Sequence, residues 1–152
     1  MSYKCQVEER SAQPTMAVRT RTSVEELPQV LGPTYGTIAQ YLGEMGEQPV
    51  GPPFVAYFNE DMEDLDIEIG FPVARELPGR GDVQPSEIPG GKMATCIHAG
   101  PYGEIDPAYE ALTEFVAESD HEAPGVCYEI YLNDPQETPP EALQTQILFP
   151  LK

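Results

Sequence analysis

Between Ala17 and Thr22 the chain alternates with a period of two, which predicts a strand. From about Ser23 the rhythm turns helical. Ser23 with Glu26 three residues later matches a capping box. Tyr35, Ile38, Tyr41, Leu42 and Met45 form a stripe at helical spacing, and Gly32-Pro33 is expected to interrupt the helix ahead of it. Gly46 to Pro53 is rich in breakers. Phe54–Asn59 and Leu65–Val73 then read as two strands of a hairpin with an acidic turn between them. Residues 79–90 keep no apolar period and read as a linker. Beyond it comes a strand over Lys92–Ala99, then a helix with Asp106 as N-cap and Pro107 as its first residue. That helix carries Tyr109, Leu112, Phe115 and Val116 as its buried stripe, and strands over Tyr128–Asn133 and Leu143–Leu151 follow.

These elements read as one unit written twice. At an offset of 74 residues Tyr35, Glu44, Gly51, Tyr57 and Asn59 fall on Tyr109, Glu118, Gly125, Tyr131 and Asn133. In the same register Ile38, Tyr41, Phe54 and Phe58 meet Leu112, Phe115, Tyr128 and Leu132. Past Asn133 the offset becomes 78, because the second copy carries four extra loop residues around Pro135 to Pro140. Leu65, Ile69, Phe71 and Pro72 then meet Leu143, Ile147, Phe149 and Pro150. Self-similarity on this scale bears on the whole architecture. It predicts an α+β fold, a tandem duplication of a strand-helix-strand-strand unit around a pseudo-twofold, with a central ligand groove. The expected domain is single, over residues 1–152, with halves at about 1–78 and 91–152.

One carboxylate breaks the copy: where the first half has Val55, the second has Glu129 inside an otherwise apolar strand. If one helix covers one face of each sheet, strand alternation sends Phe54, Ala56 and Phe58, with Tyr128, Ile130 and Leu132, towards the helices. Val55, Tyr57, Glu129 and Tyr131 then line the groove. Asp66 and Glu68 share one parity on the neighbouring strand, so Glu68 is a further groove candidate. His98 shares a strand face with Cys96 and is also a candidate. A carboxylate among apolar and aromatic groups is costly to ionise until a cation arrives. Tyrosine faces add a cation–π attraction of about 0.5–2 kcal/mol each. Glu129 with Tyr57 and Tyr131 therefore suits an organic cation; the competing reading is a wet sheet face that Glu129 merely solubilises. The pair Glu129 and Tyr57 also has the chemistry of a general base acting on water and a hydroxyl assisting a leaving group.

Composition narrows the choices. Eight basic against 26 acidic residues give a net charge of −18. Phosphate-backbone binding needs clustered Lys and Arg, and only Arg19 and Arg21 come close, so direct nucleic-acid binding is not expected. Acidity attracts cationic ligands or basic protein surfaces instead, which leaves a protein partner or a homodimer open. Three cysteines without paired spacing argue against a disulfide framework and fit a reducing compartment. No secretory h-region or membrane-length apolar run is present, so the chain reads as cytoplasmic. Cys96, His98 and Cys127 are soft donors but lack zinc-site spacing. The acidic turn Glu60, Asp61, Glu63, Asp64 lacks the order of a calcium loop. Neither metal nor cofactor is expected.

The segment Ile97-His98-Ala99-Gly100-Pro101-Tyr102, the stripe Tyr109, Leu112 and Phe115, and the run Tyr128 to Pro135 resemble the GyrI-like small-molecule-binding family. Residues 145–151 and the stretch LDIEIGFPV at Leu65–Val73 extend the resemblance to nearly the whole chain. It implies the effector-binding domain found fused to AraC-type and MerR-type regulators and also standing alone. It further implies a duplicated unit whose groove holds an acid in the second-half strand, here Glu129, facing cationic or hydrophobic drugs. Tyr57 and Tyr131 match the aromatic lining by strand position and Tyr35 by helix position. Where many relatives have an acid near the C-terminus, this chain has Gln146. The expected function is a stand-alone binder of amphipathic or cationic small molecules, for sensing, sequestration or resistance. Two alternatives stay open. One is a hydrolase of reactive electrophiles using Glu129 and Tyr57, as some stand-alone relatives look to be. The other is an acidic module that inhibits a DNA-binding partner such as gyrase.

Overall fold

A computed structural model of the chain describes residues 3–59, 61–119, 121–122, 125–133 and 137–151. Glu60 of the acidic turn, Asp134 and Pro135 of the family-like run, and the start of the four-residue insertion lie outside them. In chain order the elements are β1 (Gln6–Arg10), β2 (Gln13–Thr22), α1 (Leu27–Glu44), β3 (Phe54–Tyr57), β4 (Leu65–Pro72) and β5 (Gln84–Ile88). They continue with β6 (Gly91–Ala99), α2 (Asp106–Glu118), β7 (Cys127–Tyr131) and β8 (Gln144–Pro150). The fold is α+β, with two compact units: Ala12–Pro89, and Gly90–Lys152 together with Met1–Ser11.

In the unit Ala12–Pro89 the strands run in the order β3-β4-β2-β5, all antiparallel. Helix α1 packs Ile38, Tyr41 and Leu42 onto Met16, with Val18 and Phe71 beside them. The capping-box serine accepts a hydrogen bond from the Glu26 N–H, at 3.3 Å, in the turn that leads into α1. The helix is not interrupted at Gly32-Pro33 but runs through Pro33. The proline deprives the Gln29 carbonyl of its partner four residues on, but Gln29, Gly32 and Pro33 are exposed and water can take that place. The stretch read as a linker contains β5, which pairs with β2. Its Pro85 and Ser86 hid the strand pattern, an arrangement tolerated on a strand with one partner.

In the other unit the order is β7-β8-β6-β1, again antiparallel. Helix α2 lays Ala108, Leu112 and Val116 on Ala94, Cys96 and Ile147. Asp106 is the first residue of α2 rather than its cap, and Ile105 precedes the helix without a side-chain capping bond. The acid still sits favourably on the positive end of the helix. Strand β1 carries no strong strand signal and takes its place by pairing Gln6 with Thr95.

The expected assignment of strand faces is reversed. Val55 pairs with Ile69, which pairs with Val18 on the α1 side. Glu129 pairs with Ile147, which packs against α2. Residues facing one another across an antiparallel pair share a sheet face, so Val55, Tyr57, Glu129 and Tyr131 lie on the helix side. Phe54, Ala56, Tyr128 and Ile130 take the opposite face, and Glu68, opposite Ala56, goes with them rather than with Val55 and Tyr57. The physical reason is that both faces are buried. Phe54, Val55 and Ala56 are at most 1% exposed, so apolar character did not distinguish the sides.

Gly70 shows how tight that second face is. A Cβ there would sit 2.6 Å from the Met16 carbonyl oxygen and 3.0 Å from the Phe54 ring. Gly70→Ala should therefore lower stability in urea unfolding by about 1–3 kcal/mol, the usual cost of overpacking. An unchanged midpoint would mean that the β2 backbone at Met16 and the Phe54 ring can both move aside.

Candidate functional site

Glu129 lies at the centre of a cluster on the α2 side of the second unit. Strand β7 brings Cys127, Glu129 and Tyr131 to one face, two residues apart. Across β8 and β6 the register extends Glu129 to Ile147 and Cys96, and Tyr131 to Thr145 and His98. Helix α2 lowers Tyr109 onto this surface. The Tyr109 hydroxyl donates to Glu129 Oε2, and the Tyr131 hydroxyl donates to Oε1 at 2.9 Å. Each carboxylate oxygen is thus held by one phenol. Cys127 Sγ lies 3.7 Å from the Tyr109 hydroxyl. Phe149 packs beside Tyr109, and Tyr102 meets Tyr131 edge-on with ring centroids 5.5 Å apart.

Glu129 is half-buried as a residue, yet its carboxyl is enclosed enough for burial to dominate its proton affinity. Burial raises its pKa above the ordinary carboxylate value; the Tyr109 and Tyr131 hydrogen bonds and the charge of His98 pull it back. Burial first, then the Glu129 charge, pushes the Tyr109 phenol far upward, so it remains a neutral donor. His98 is buried and doubly bonded: its ring lies 3.0 Å from the Pro101 carbonyl through Nε2 and 3.2 Å from the Tyr3 hydroxyl through Nδ1. A carbonyl only accepts, so Nε2 carries a hydrogen; Nδ1 accepts from the Tyr3 hydroxyl when the ring is neutral and donates to it when the ring is charged. Gly100, at φ +132°, supplies the backbone turn that brings Pro101 back to the ring.

Of the residues singled out from the sequence, Glu129, Tyr131 and His98 come together here. The other four belong to the first unit. Val55 is fully buried in β3, and Tyr57 is half-buried at the end of that strand. Tyr35 donates to the Phe54 carbonyl at 2.8 Å and stacks near Phe71. Glu68 accepts from Ser86 at 2.9 Å. The partners of the carboxylate that sequence reasoning missed are Tyr109 and Cys127. Tyr109 had been assigned only to the apolar stripe, although its repeat relation to Tyr35 marked it as a second tyrosine aimed at the strands. An open depression of about 470 Å³ lies elsewhere, lined by Pro14, Glu76, Pro85, Ser86 and Glu87, and contains none of these tyrosines. Among the described residues no three His, Cys, Asp or Glu side chains are grouped to hold a metal ion, and no helix is long and apolar enough to cross a membrane.

An acid that holds its proton more tightly when folded loses stability as the pH rises from its unfolded value, about 4.3, through its raised folded value. Over that window the unfolding free energy of the wild type should fall relative to that of Glu129→Gln. Urea titrations at a series of pH values test this, and parallel pH curves would show that the carboxyl is not enclosed in solution.

The sequence matches the model of the GyrI-like small molecule binding domain over residues 3–152. A search of curated proteins gives no significant match. Among solved structures, the fold is similar to the C-terminal domain of EcmrR, with a TM-score of 0.83, 18% identity, and coverage of 100% of this chain and 99% of that one. It is also similar to EcmrR in a complex with DNA, with a TM-score of 0.86 at 20% identity, covering 99% of this chain; there the chain spans only 57% of its relative. A third likeness is to SAV2435 bound to tetraphenylphosphonium, with a TM-score of 0.63, 12% identity, and coverage of 100% and 94%. A fourth is to a hydrolase from Listeria innocua, with a TM-score of 0.70, 16% identity, and coverage of 98% and 92%. At these identities the likenesses concern the fold.

Proposed function

Because the chain belongs to the GyrI-like small molecule binding domain family, we propose that it binds amphipathic organic cations at Glu129, in sensing, sequestration or resistance. The observation that carries this reading is the enclosed carboxylate with a tyrosine hydroxyl on each oxygen. Among the described residues no Lys or Arg forms an ion pair with it. An enclosed carboxylate with no Lys or Arg paired to it gains most from a cation that brings its own apolar cover. Tyr131, Tyr102 and Tyr109 offer the ring faces and edges for that cover. Tetraphenylphosphonium, bound by the structurally similar SAV2435, is a lipophilic cation of this class. Tyr109 and Tyr131, rather than Tyr57, are the residues this reading assigns beside Glu129.

The same reading takes the chain as an internal duplication. Tyr35 and Tyr109, 74 residues apart, each send a hydroxyl to the strand after their helix, at Phe54 and Glu129. Asn59 and Asn133 each accept from a backbone N–H near the start of the following strand, at Asp66 and Gln144. The ring pairs Tyr35–Phe71 and Tyr109–Phe149 correspond in the same way. Only the second copy has an acid at the position where the tyrosine lands.

Calorimetric titration with tetraphenylphosphonium tests the cation site. The wild type should bind, and Glu129→Gln should bind about tenfold or more weakly, a loss of at least ~1.4 kcal/mol. Equal affinity in the two proteins would remove the counter-charge role.

A further inference from the structure

The reading of Glu129 as a counter-charge leaves one neighbour unused: the thiol of Cys127, on the same strand face and 3.7 Å from the Tyr109 hydroxyl. The direction of that contact follows from counting hydrogens. Tyr109 has one hydroxyl hydrogen, and it is committed to Glu129 Oε2. The contact with sulfur must then run the other way, with the Cys127 S–H donating to the Tyr109 oxygen. The result is a directed chain, thiol to phenol to carboxylate, in which a nucleophile is joined to a base and the base is oriented by Tyr131. A nucleophile linked to a base, with a third group that orients the base, is the arrangement that activates weak nucleophiles; here the link runs through the Tyr109 hydroxyl.

We propose that Cys127 is a covalent capture site for soft carbon electrophiles, the α,β-unsaturated carbonyl compounds, with Glu129 as its base through Tyr109. This deepens, and rests on, the reading of the Glu129 cluster as a small-molecule site. In the step, the Cys127 proton passes to the Tyr109 oxygen as the Tyr109 proton passes to Glu129 Oε2. The sulfur electron pair forms a bond to the β-carbon of the ligand, and the carbon–carbon π pair moves to give the enolate. The enolate carbon then takes back one proton through the same chain, restoring ionised Glu129 and neutral Tyr109. The net change is addition of S–H across the double bond, so no oxidant, reductant or leaving group is required. Burial of Glu129 helps, because a carboxylate with a raised pKa is better matched to a thiol proton than an ordinary one. Aromatic rings surround the chain of donors: Phe149 lies beside Tyr109, and Tyr102 beside Tyr131.

The test is the rate at which N-ethylmaleimide labels Cys127, followed by peptide-resolved mass spectrometry in the intact chain. The wild type should gain one reagent mass at Cys127 with no atoms lost. Glu129→Gln and Tyr109→Phe should each slow that labelling by about tenfold or more, the usual contribution of a general base, while labelling of Cys5 is unchanged. The signs separate a base from a spectator. A spectator carboxylate beside a thiol only disfavours the thiolate, so its removal would speed the reaction. Labelling of Cys127 in Glu129→Gln at the wild-type rate or faster would overturn the proposal. Should Glu129→Gln fail to fold, Tyr109→Phe decides alone, since it keeps the charge and deletes only the hydroxyl that joins it to the thiol. Tetraphenylphosphonium titration reports on the first reading separately. Capture without cation binding leaves Cys127 assigned as proposed; cation binding with no preferential labelling leaves reversible binding alone.

Discussion

The site depends on the cost of placing a carboxylate on a strand face that a helix packs over. Glu129 is half-buried on the helix side of β7, and its carboxyl lies between the Tyr109 and Tyr131 hydroxyls, which restricts its access to water. A carboxylate in that position must be supplied with donors by the protein or give up its charge. Tyr131 supplies one from the same strand, two residues on. Tyr109 supplies the other from α2, whose distance from the sheet is set by Ala108, Leu112 and Val116 against Cys96 and Ile147. Helix packing and carboxylate solvation are therefore one problem: a shift of α2 large enough to repack its apolar stripe also removes a hydrogen bond from a buried charge.

The two units show what such an insertion changes. Each has a strand, a helix and a hairpin in the same order, and each sends a helix tyrosine to the strand that follows. In the first unit that hydroxyl satisfies a backbone carbonyl beside Val55; in the second it meets a side-chain carboxylate. With Glu129 in β7, the helix tyrosine of the second unit becomes part of an ionisable cluster. The same tyrosine hydroxyl also meets the half-buried thiol of Cys127.

Local chemistry explains which readings of the sequence held. Strands rich in β-branched and aromatic residues, such as β4 and β8, were legible because their residues form strands in most surroundings. β1 and β5 were not legible. Glu8 and Glu9 in β1, and Pro85 and Ser86 in β5, are poor strand formers held in place by β6 and β2. The continuity of α1 through Pro33 was equally hidden. A local rule prices the lost hydrogen bond, but the burial of Ile38, Tyr41 and Leu42 across the sheet outweighs it.

The sequence by itself determined the two strand-helix-strand-strand patterns, the candidate acid at Glu129 and the presence of Tyr131 beside it, because periodicity and a break in a repeat are properties of the chain alone. Only the tertiary structure decided which way Glu129 points and which groups hold it. Strand alternation says that neighbours face opposite sides, but it does not name the sides when both are apolar. That choice was made by register, Glu129 opposite Ile147 and Ile147 under α2, and register carried the acid to Tyr109, Cys127 and the helix.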